Sequence, residues 1–420
     1  MTNRFLRWAK RTWKGMGPGL ITGASDDDPS GIATYTQAGA RFGPQLLWTA
    51  VVTYPLMVAI QGMCARIGVV TGEGLMGTIN RYYSRRLMFL ILAISFPSIV
   101  LNIGADIAGM GAVGNLLFPA VPSYLFSIAF TVLLLYAIIV WSYHRIARVL
   151  KWLCIVLFSY ILIPFLIDTD WTSVLRSTVL PTFTNDAAWF MALVGILGTT
   201  ISPYLFFWQA SMEVEEQNEW HLVVDKKLIH DVDVDVRGGM LYTNIVFYFI
   251  ILAAGTVLYN AGVRDINTVE EAARALKPLA GDMAYALFAL GVIGTGFLAI
   301  PVLGGALSYM MAEAFDWPEG LNKKFHEARG FYITLVVSLL IGLGINFIGI
   351  SPIQALIWTA VLYGITAPVL IGVILLICNN GSIMGDYVNS RWANVMGGIT
   401  LVLMTSAAVA LLYYQFLAGA

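Results

Sequence analysis

Apolar residues run along this chain in long blocks, separated by short charged or Pro/Gly-rich stretches. A block of about 20 apolar residues is long enough to cross the roughly 30 Å of hydrocarbon in a bilayer as a helix. Eleven such blocks fall at about 16–42, 46–71, 87–117, 122–143, 149–168, 189–213, 238–261, 280–313, 330–349, 353–378 and 394–417. Two are interrupted at a depth where a helix should be continuous, the first by ASDDDPSG and the sixth by TTISPYL. Their prolines, Pro29 and Pro203, stand 174 positions apart, the length of one five-helix unit. Interruptions at corresponding places in two halves predict an inverted-repeat transporter with its site near the midplane, the eleventh helix being an appendage to a five-plus-five core. The expected organisation is a cytoplasmic tail over 1–15, a first repeat over 16–168, an extracellular loop over 169–188, a second repeat over 189–378, and a loop with the eleventh helix over 379–420.

The charges orient this arrangement. With the N-terminus inside, eighteen Lys and Arg fall in cytoplasmic segments and five outside, a positive-inside bias that places the C-terminus outside after an odd number of spans. Hydrophobic residues make up 58% of the chain and charged residues 12%, which excludes an ordinary soluble globular protein and predicts an all-α polytopic membrane protein. The net charge of −1 offers no basic field for a polynucleotide. Cys64, Cys154 and Cys378 sit inside apolar runs without Cys-x-x-Cys spacing, so they read as small buried hydrophobes. The basic N-terminus lacks a short apolar core followed by a small-residue cleavage site and reads as a retained tail.

Candidate chemistry concentrates at the two interruptions. An aspartate at the centre of a membrane helix costs roughly 2.5–3.5 kcal/mol, and Asp26, Asp27 and Asp28 stand in a row. Unwinding around Pro29, Ser30 and Gly31, with a matching break at Ser202–Pro203, frees backbone carbonyls to line one oxygen-rich cavity. Carboxylate, carbonyl and hydroxyl oxygens suit a hard cation such as Mg2+, Mn2+ or Ca2+. The alternative is that one or two of Asp26, Asp27 and Asp28 merely cap the half-helix after Pro29 or face the aqueous vestibule. Asp106, in the third span, either lines the permeation path or pairs with a backbone break. Trp208 either walls the cavity or packs between helices, and Gly109, Gly111 and Gly114 read as close helix packing. Glu213, Glu215 and Glu216 are expected at a solvated helix end, and Asp231, Asp233 and Asp235 in a solvated cytoplasmic loop. His144, His221, His230 and His326 all fall in loops or at span ends, and no methionine occupies either break, so neither imidazole nor thioether is placed to ligate an ion there.

Several segments resemble the Nramp family of divalent metal transporters: GPGLITGASDDDPSGIATYTQAGARFGPQLLW from Gly17 to Trp48, ARIGVVTGEGL after the second span, ADIAG with NLLF in the third, and NNGSIMGD after the tenth. The resemblance covers nearly the whole chain in order. It implies a LeuT-type fold, alternating access and a divalent ion held between broken helices one and six. Asp28 matches the family's metal-binding aspartate, whereas Gly31 replaces the asparagine of Asp-Pro-Gly-Asn. In the sixth span Thr199 retains a carbonyl, Ser202 replaces the metal-binding methionine, and Tyr204 and Gln209 stand where the family has histidines associated with proton movement. Asp106 remains of the third-span Asp-x-x-Glu pattern, with Gly109 for the glutamate.

Losing the thioether removes the preference for soft ions, and the smaller Gly31 and Ser202 enlarge the cavity and favour an ion that keeps several waters, as Mg2+ does. The sequence is in these respects similar to the Nramp-related magnesium transporters. The resulting expectation is a transporter, not an enzyme, that carries hydrated Mg2+ and also Mn2+ across the plasma membrane of a prokaryote without proton coupling. Its metal-site residues are Asp28, Thr199, Ser202, Gly31 and Asp27, and Asp106, Tyr204, Trp208 and Gln209 lie along the path. Its partners are the ion and the bilayer, with no cofactor and no nucleic acid; the sequence leaves the oligomeric state open. The alternatives are a proton-coupled Mn2+/Fe2+ symporter, a sodium-coupled carrier of organic solutes and a membrane metal sensor.

Overall fold

A computed structural model describes residues 17–140, 155–184 and 186–416. Helix occupies each of the eleven predicted spans. The first is two helices, α1 (Pro18–Asp26) and α2 (Pro29–Phe42), followed by α3 (Trp48–Thr71), a short α4 (Leu75–Tyr82), α5 (Arg85–Leu117) and α6 (Ser123–Val140). The fifth is described from residue 155 and includes α7 (Ser159–Leu166). The sixth is again two helices, α9 (Ala187–Thr200) and α10 (Pro203–Trp220), preceded by the surface helix α8 (Trp171–Val179). There follow α11 (Lys226–Val257), α12 (Ala284–Phe315), α13 (Arg329–Ile345), α14 (Pro352–Cys378) and α15 (Arg391–Phe416). His144, Cys154, the expected tail over 1–15 and part of the fifth span lie outside the described residues.

One expectation about a loop is corrected, and a second expected loop carries a short helix. Asp231, Asp233 and Asp235 belong to α11, which starts twelve residues before the predicted span because Asp225 caps it, accepting from the Leu228 amide at 2.7 Å. The stretch over 169–188 contains α8, likewise started by an aspartate: Asp170 accepts from the amides of Thr172 and Ser173 at 3.1 Å each. At Asp231, Asp233 and Asp235 local capping outweighs the polarity that reads as loop.

Glycine sets how closely the helices approach. Along α1 and α2, Gly19, Gly23 and Gly39 lie directly on the backbone of α11, with Gly239 and Gly255 facing them, so the first broken helix packs against α11 along both halves. Gly198 of α9 meets Gly364 of α14 in the same way. The expected close packing at Gly111 and Gly114 is present against Ser127 and Phe126 of α6, and Gly109 faces Leu356 of α14. Among the described residues, α6 and α15 bury the smallest share of their apolar windows, 22% and 33%, and their exposed Val132 and Val402 present the surface that meets lipid.

A buried site between two broken helices

Each break takes two residues, and the two are built alike. Proline supplies no amide hydrogen and disfavours the α region for the residue before it, so a helix ends there and a new one starts with proline as its first residue. Asp27 has φ −83° and ψ 52°, and Asp28 has φ −70° and ψ 172°. The corresponding Ile201 has φ −119° and ψ 60°, and Ser202 has φ −76° and ψ 127°. The sequence reading of two matched interruptions therefore has a direct backbone counterpart.

Asp28 caps α2. Its Oδ1 accepts from Ser30 Oγ at 2.6 Å and from the Gly31 amide at 2.7 Å, while Oδ2 accepts from Asn102 Nδ2 of α5 at 2.9 Å. Asp27 Oδ1 and Asp26 Oδ2 each lie 3.0 Å from Thr243 Oγ1 of α11. All three carboxylates are buried, Asp28 being 1% exposed, and none forms an ion pair among the described residues. The two breaks meet at Gly31, where a Cβ would lie 3.2 Å from Thr199 Oγ1 and 3.4 Å from the Asp26 carbonyl oxygen. A larger residue at this position would separate α2 from α9.

The sixth-span residues tie the halves together. Tyr204 donates its hydroxyl to the Ser25 carbonyl at 2.9 Å, serving one of the carbonyls left free where α1 ends. Ser202 turns its hydroxyl back, donating to the carbonyls of Thr199 at 2.7 Å and Gly198 at 3.1 Å. The Thr199 carbonyl and the Ser202 hydroxyl thus begin as partners of each other. Gln209, about two turns beyond Ser202, accepts from Thr22 Oγ1 at 2.5 Å and donates to Glu213 at 2.7 Å. Asp106 is buried within electrostatic reach of Asp28 and beside the Ser30 amide, with no hydrogen bond of full geometry to either carboxylate oxygen among the described residues.

Not every expected residue joins this group. Trp208 packs into α12, beside Gly305 and with its ring centroid 6.3 Å from that of Tyr309, because its position on α10 turns it away from the break. Glu213 is not solvated: the buried part of α10 extends to Glu213, which is 3% exposed, and the helix emerges only beyond it, with Trp220 exposed. Glu215 is held by Tyr309 at 2.8 Å. Asp235 accepts from the amides of Gly17 at 3.2 Å and Gly19 at 2.6 Å, supplying from α11 the cap that α1 lacks in its own sequence. Asn102 and Thr243 escape sequence reasoning altogether. The one signal for Asn102 is its spacing of four from Asp106, which puts both on one face of α5. No group of three or more His, Cys, Asp or Glu side chains placed to hold a metal occurs among the described residues, so any ion held here would draw on at most two carboxylates, together with amide and hydroxyl groups and freed carbonyls.

The model of the Nramp family, described as natural resistance-associated macrophage protein-like, matches residues 19–414. The chain belongs to the Nramp family. It is a transporter and not an enzyme. Among curated relatives, a divalent metal cation transporter MntH of Klebsiella pneumoniae strain 342 is 25% identical over 398 residues, covering 93% of this chain and 92% of that protein. Among solved structures, a manganese transporter of Eremococcus coleocola superposes with a TM-score of 0.77 at 19% identity, covering 96% of this chain and 87% of the other. Mhp1, a nucleobase-cation-symport-1 family transporter, gives 0.53 at 13% identity over 95% and 93%. The shared architecture is the LeuT-type helical fold expected from the resemblance.

Proposed function

We propose that this Nramp protein carries divalent cations, Mg2+ together with Mn2+, across the plasma membrane of a prokaryote by alternating access, without proton coupling. The observation that carries this reading is Asp28: a buried carboxylate between two helix breaks that, among the described residues, is held only by neutral donors and touches no basic residue. An uncompensated buried charge is costly unless a cation accompanies it. Asp28 is the main electrostatic ligand. Thr199 and the space at Gly31 bring the second break to the ion, Ser202 supplies a hydroxyl or a bound water once it releases the Thr199 carbonyl, and Asp27 adds negative potential. Asp106, Tyr204 and Gln209 line the route on either side, and Trp208 supports it from behind. With oxygen donors only and room for retained water, the site matches an ion that sheds its shell reluctantly.

An inside-negative potential contributes roughly 2.3 kcal/mol per charge per 100 mV, so a divalent cation needs no second driving ion. The kinship to proteins named as manganese and divalent metal transporters favours a second reading, a proton-coupled Mn2+ symporter. Flux into proteoliposomes carrying an internal pH reporter separates the two. The proposal expects Mg2+ and Mn2+ entry without acidification, and abolition of both by Asp28→Ala. Acidification coupled to Mn2+ entry with no Mg2+ flux supports the symporter instead, and undiminished flux in Asp28→Ala overturns the site.

A further inference from the structure

On the α5 side of Asp28, three buried oxygens of two residues have no hydrogen bond of full geometry among the described residues: Asn102 Oδ1, whose nearest donor is the Tyr363 hydroxyl, and both carboxylate oxygens of Asp106, whose nearest donor is the Ser30 amide. Buried polar atoms in folded proteins are nearly always paired, so three on one helix face, beside a carboxylate, mark a place built for a ligand. Asn102 and Asp106 are both fully buried, and the Nδ2 of Asn102 already touches Asp28 Oδ2 at 2.9 Å. Tyr363 of α14 closes the same corner, within electrostatic reach of Asp28 and Asp106.

We infer that Asn102 is a direct ligand of the transported ion, an inference that rests on Asp28 being its primary site. In the structure the Asn102 amide faces Asp28 with its NH2 group, which holds the carboxylate in place but would repel a cation bound to it. Rotating the amide by about half a turn presents Oδ1 to the ion, and amide oxygens are ordinary ligands of hard cations. The displaced NH2 then meets Asp106, one helical turn along the same face, whose oxygens are free to accept. The side chain thus has two hydrogen-bonded states: donating to Asp28 without the ion, and coordinating the ion while donating to Asp106. Divalent affinity and selectivity are set in part by α5, not by the two breaks alone.

Uptake of Mg2+ and Mn2+ into proteoliposomes, with Cd2+ as competitor, tests this on the full chain. Asn102→Ala is expected to raise KM for both ions by roughly tenfold or more, the scale at which even outer partners of metal sites act, with Vmax little changed. Asn102→Asp, which keeps an oxygen in place, is expected to return KM to the parent value or below. Asn102→Cys places a soft ligand at the ion and is expected to lower the Cd2+ concentration that blocks Mn2+ uptake, a change that a purely structural role would not produce. Unchanged KM in Asn102→Ala, or unchanged Cd2+ competition in Asn102→Cys, with Asp28→Ala inactive, overturns the role of Asn102 and leaves the Asp28 site standing. Uptake that survives Asp28→Ala overturns both. A variant that fails to fold is recognised by its unfolding transition, and the Asp and Cys variants then decide.

Discussion

Gly23→Ala tests whether the first break depends on backbone contact with α11. A Cβ on Gly23 would lie on the Gly239 carbonyl and 2.7 Å from the Gly239 Cα, against an ordinary carbon–carbon separation of about 3.5–4.0 Å. The helices must therefore separate by about 1 Å at this point. Thr243 lies one turn along α11 and reaches Asp26 and Asp27 at 3.0 Å, so the same displacement stretches those contacts beyond hydrogen-bonding range. Overpacking costs roughly 1–3 kcal/mol and a lost hydrogen bond to a charged group roughly 1.5–3 kcal/mol, which together predict a loss of about 2.5–6 kcal/mol. Thermal unfolding of the detergent-solubilised protein, followed by tryptophan fluorescence, reads the stability, and Mn2+ flux reads the function; both are expected to fall. Gly238→Ala is the control, since nothing lies within 4 Å of a Cβ there and a mid-helix alanine is favoured by about 0.5–1 kcal/mol. The double variant Gly23→Ala/Gly239→Ala is expected to lose less than the sum of the single losses, because one separation relieves both clashes. A Gly23→Ala protein with unchanged unfolding temperature and flux would refute the reasoning.

Two further expectations follow from particular contacts. Ser202→Met removes the hydroxyl that occupies the Thr199 carbonyl at 2.7 Å and places a thioether at the second break, so Cd2+ is expected to compete with Mn2+ at lower concentration; unchanged competition would mean that the side chain at 202 does not face the ion. Glu319, in the turn between α12 and α13, is pushed up to about 9 by burial first and then by Glu313 and Glu215, against the opposing pull of Lys323. Because its folded value lies above the ordinary 4.5, the native state holds the extra proton between these limits and stability falls as pH rises through them. Glu319→Gln should flatten that fall in unfolding temperature between pH 5 and about pH 9, and an unchanged slope would assign the dependence to other groups.

The sequence by itself determined the spans, the two breaks and the run of carboxylates at the first of them. These are properties of contiguous residues: twenty apolar positions favour a helix that satisfies the backbone in lipid, and a proline behind a cluster of polar residues breaks a helix, whereas helices continue through Pro55, Pro97, Pro301 and Pro368 in apolar surroundings. Charge alone misled in two places. Asp235 and Glu213 read as solvated because polar residues near span ends usually are, but α11 and α10 extend beyond their apolar cores and carry both acids into the bundle. What surrounds Asp28 was decided only by the tertiary structure. Asn102 lies 74 positions from Asp28, and Thr243 lies 216 from Asp27. No local pattern marks an asparagine or a threonine in an apolar helix as a partner of a distant acid. Their contacts exist because glycines at 23, 39, 239 and 255 let α11 approach the first broken helix at backbone distance, while α5 brings Asn102 to its other side.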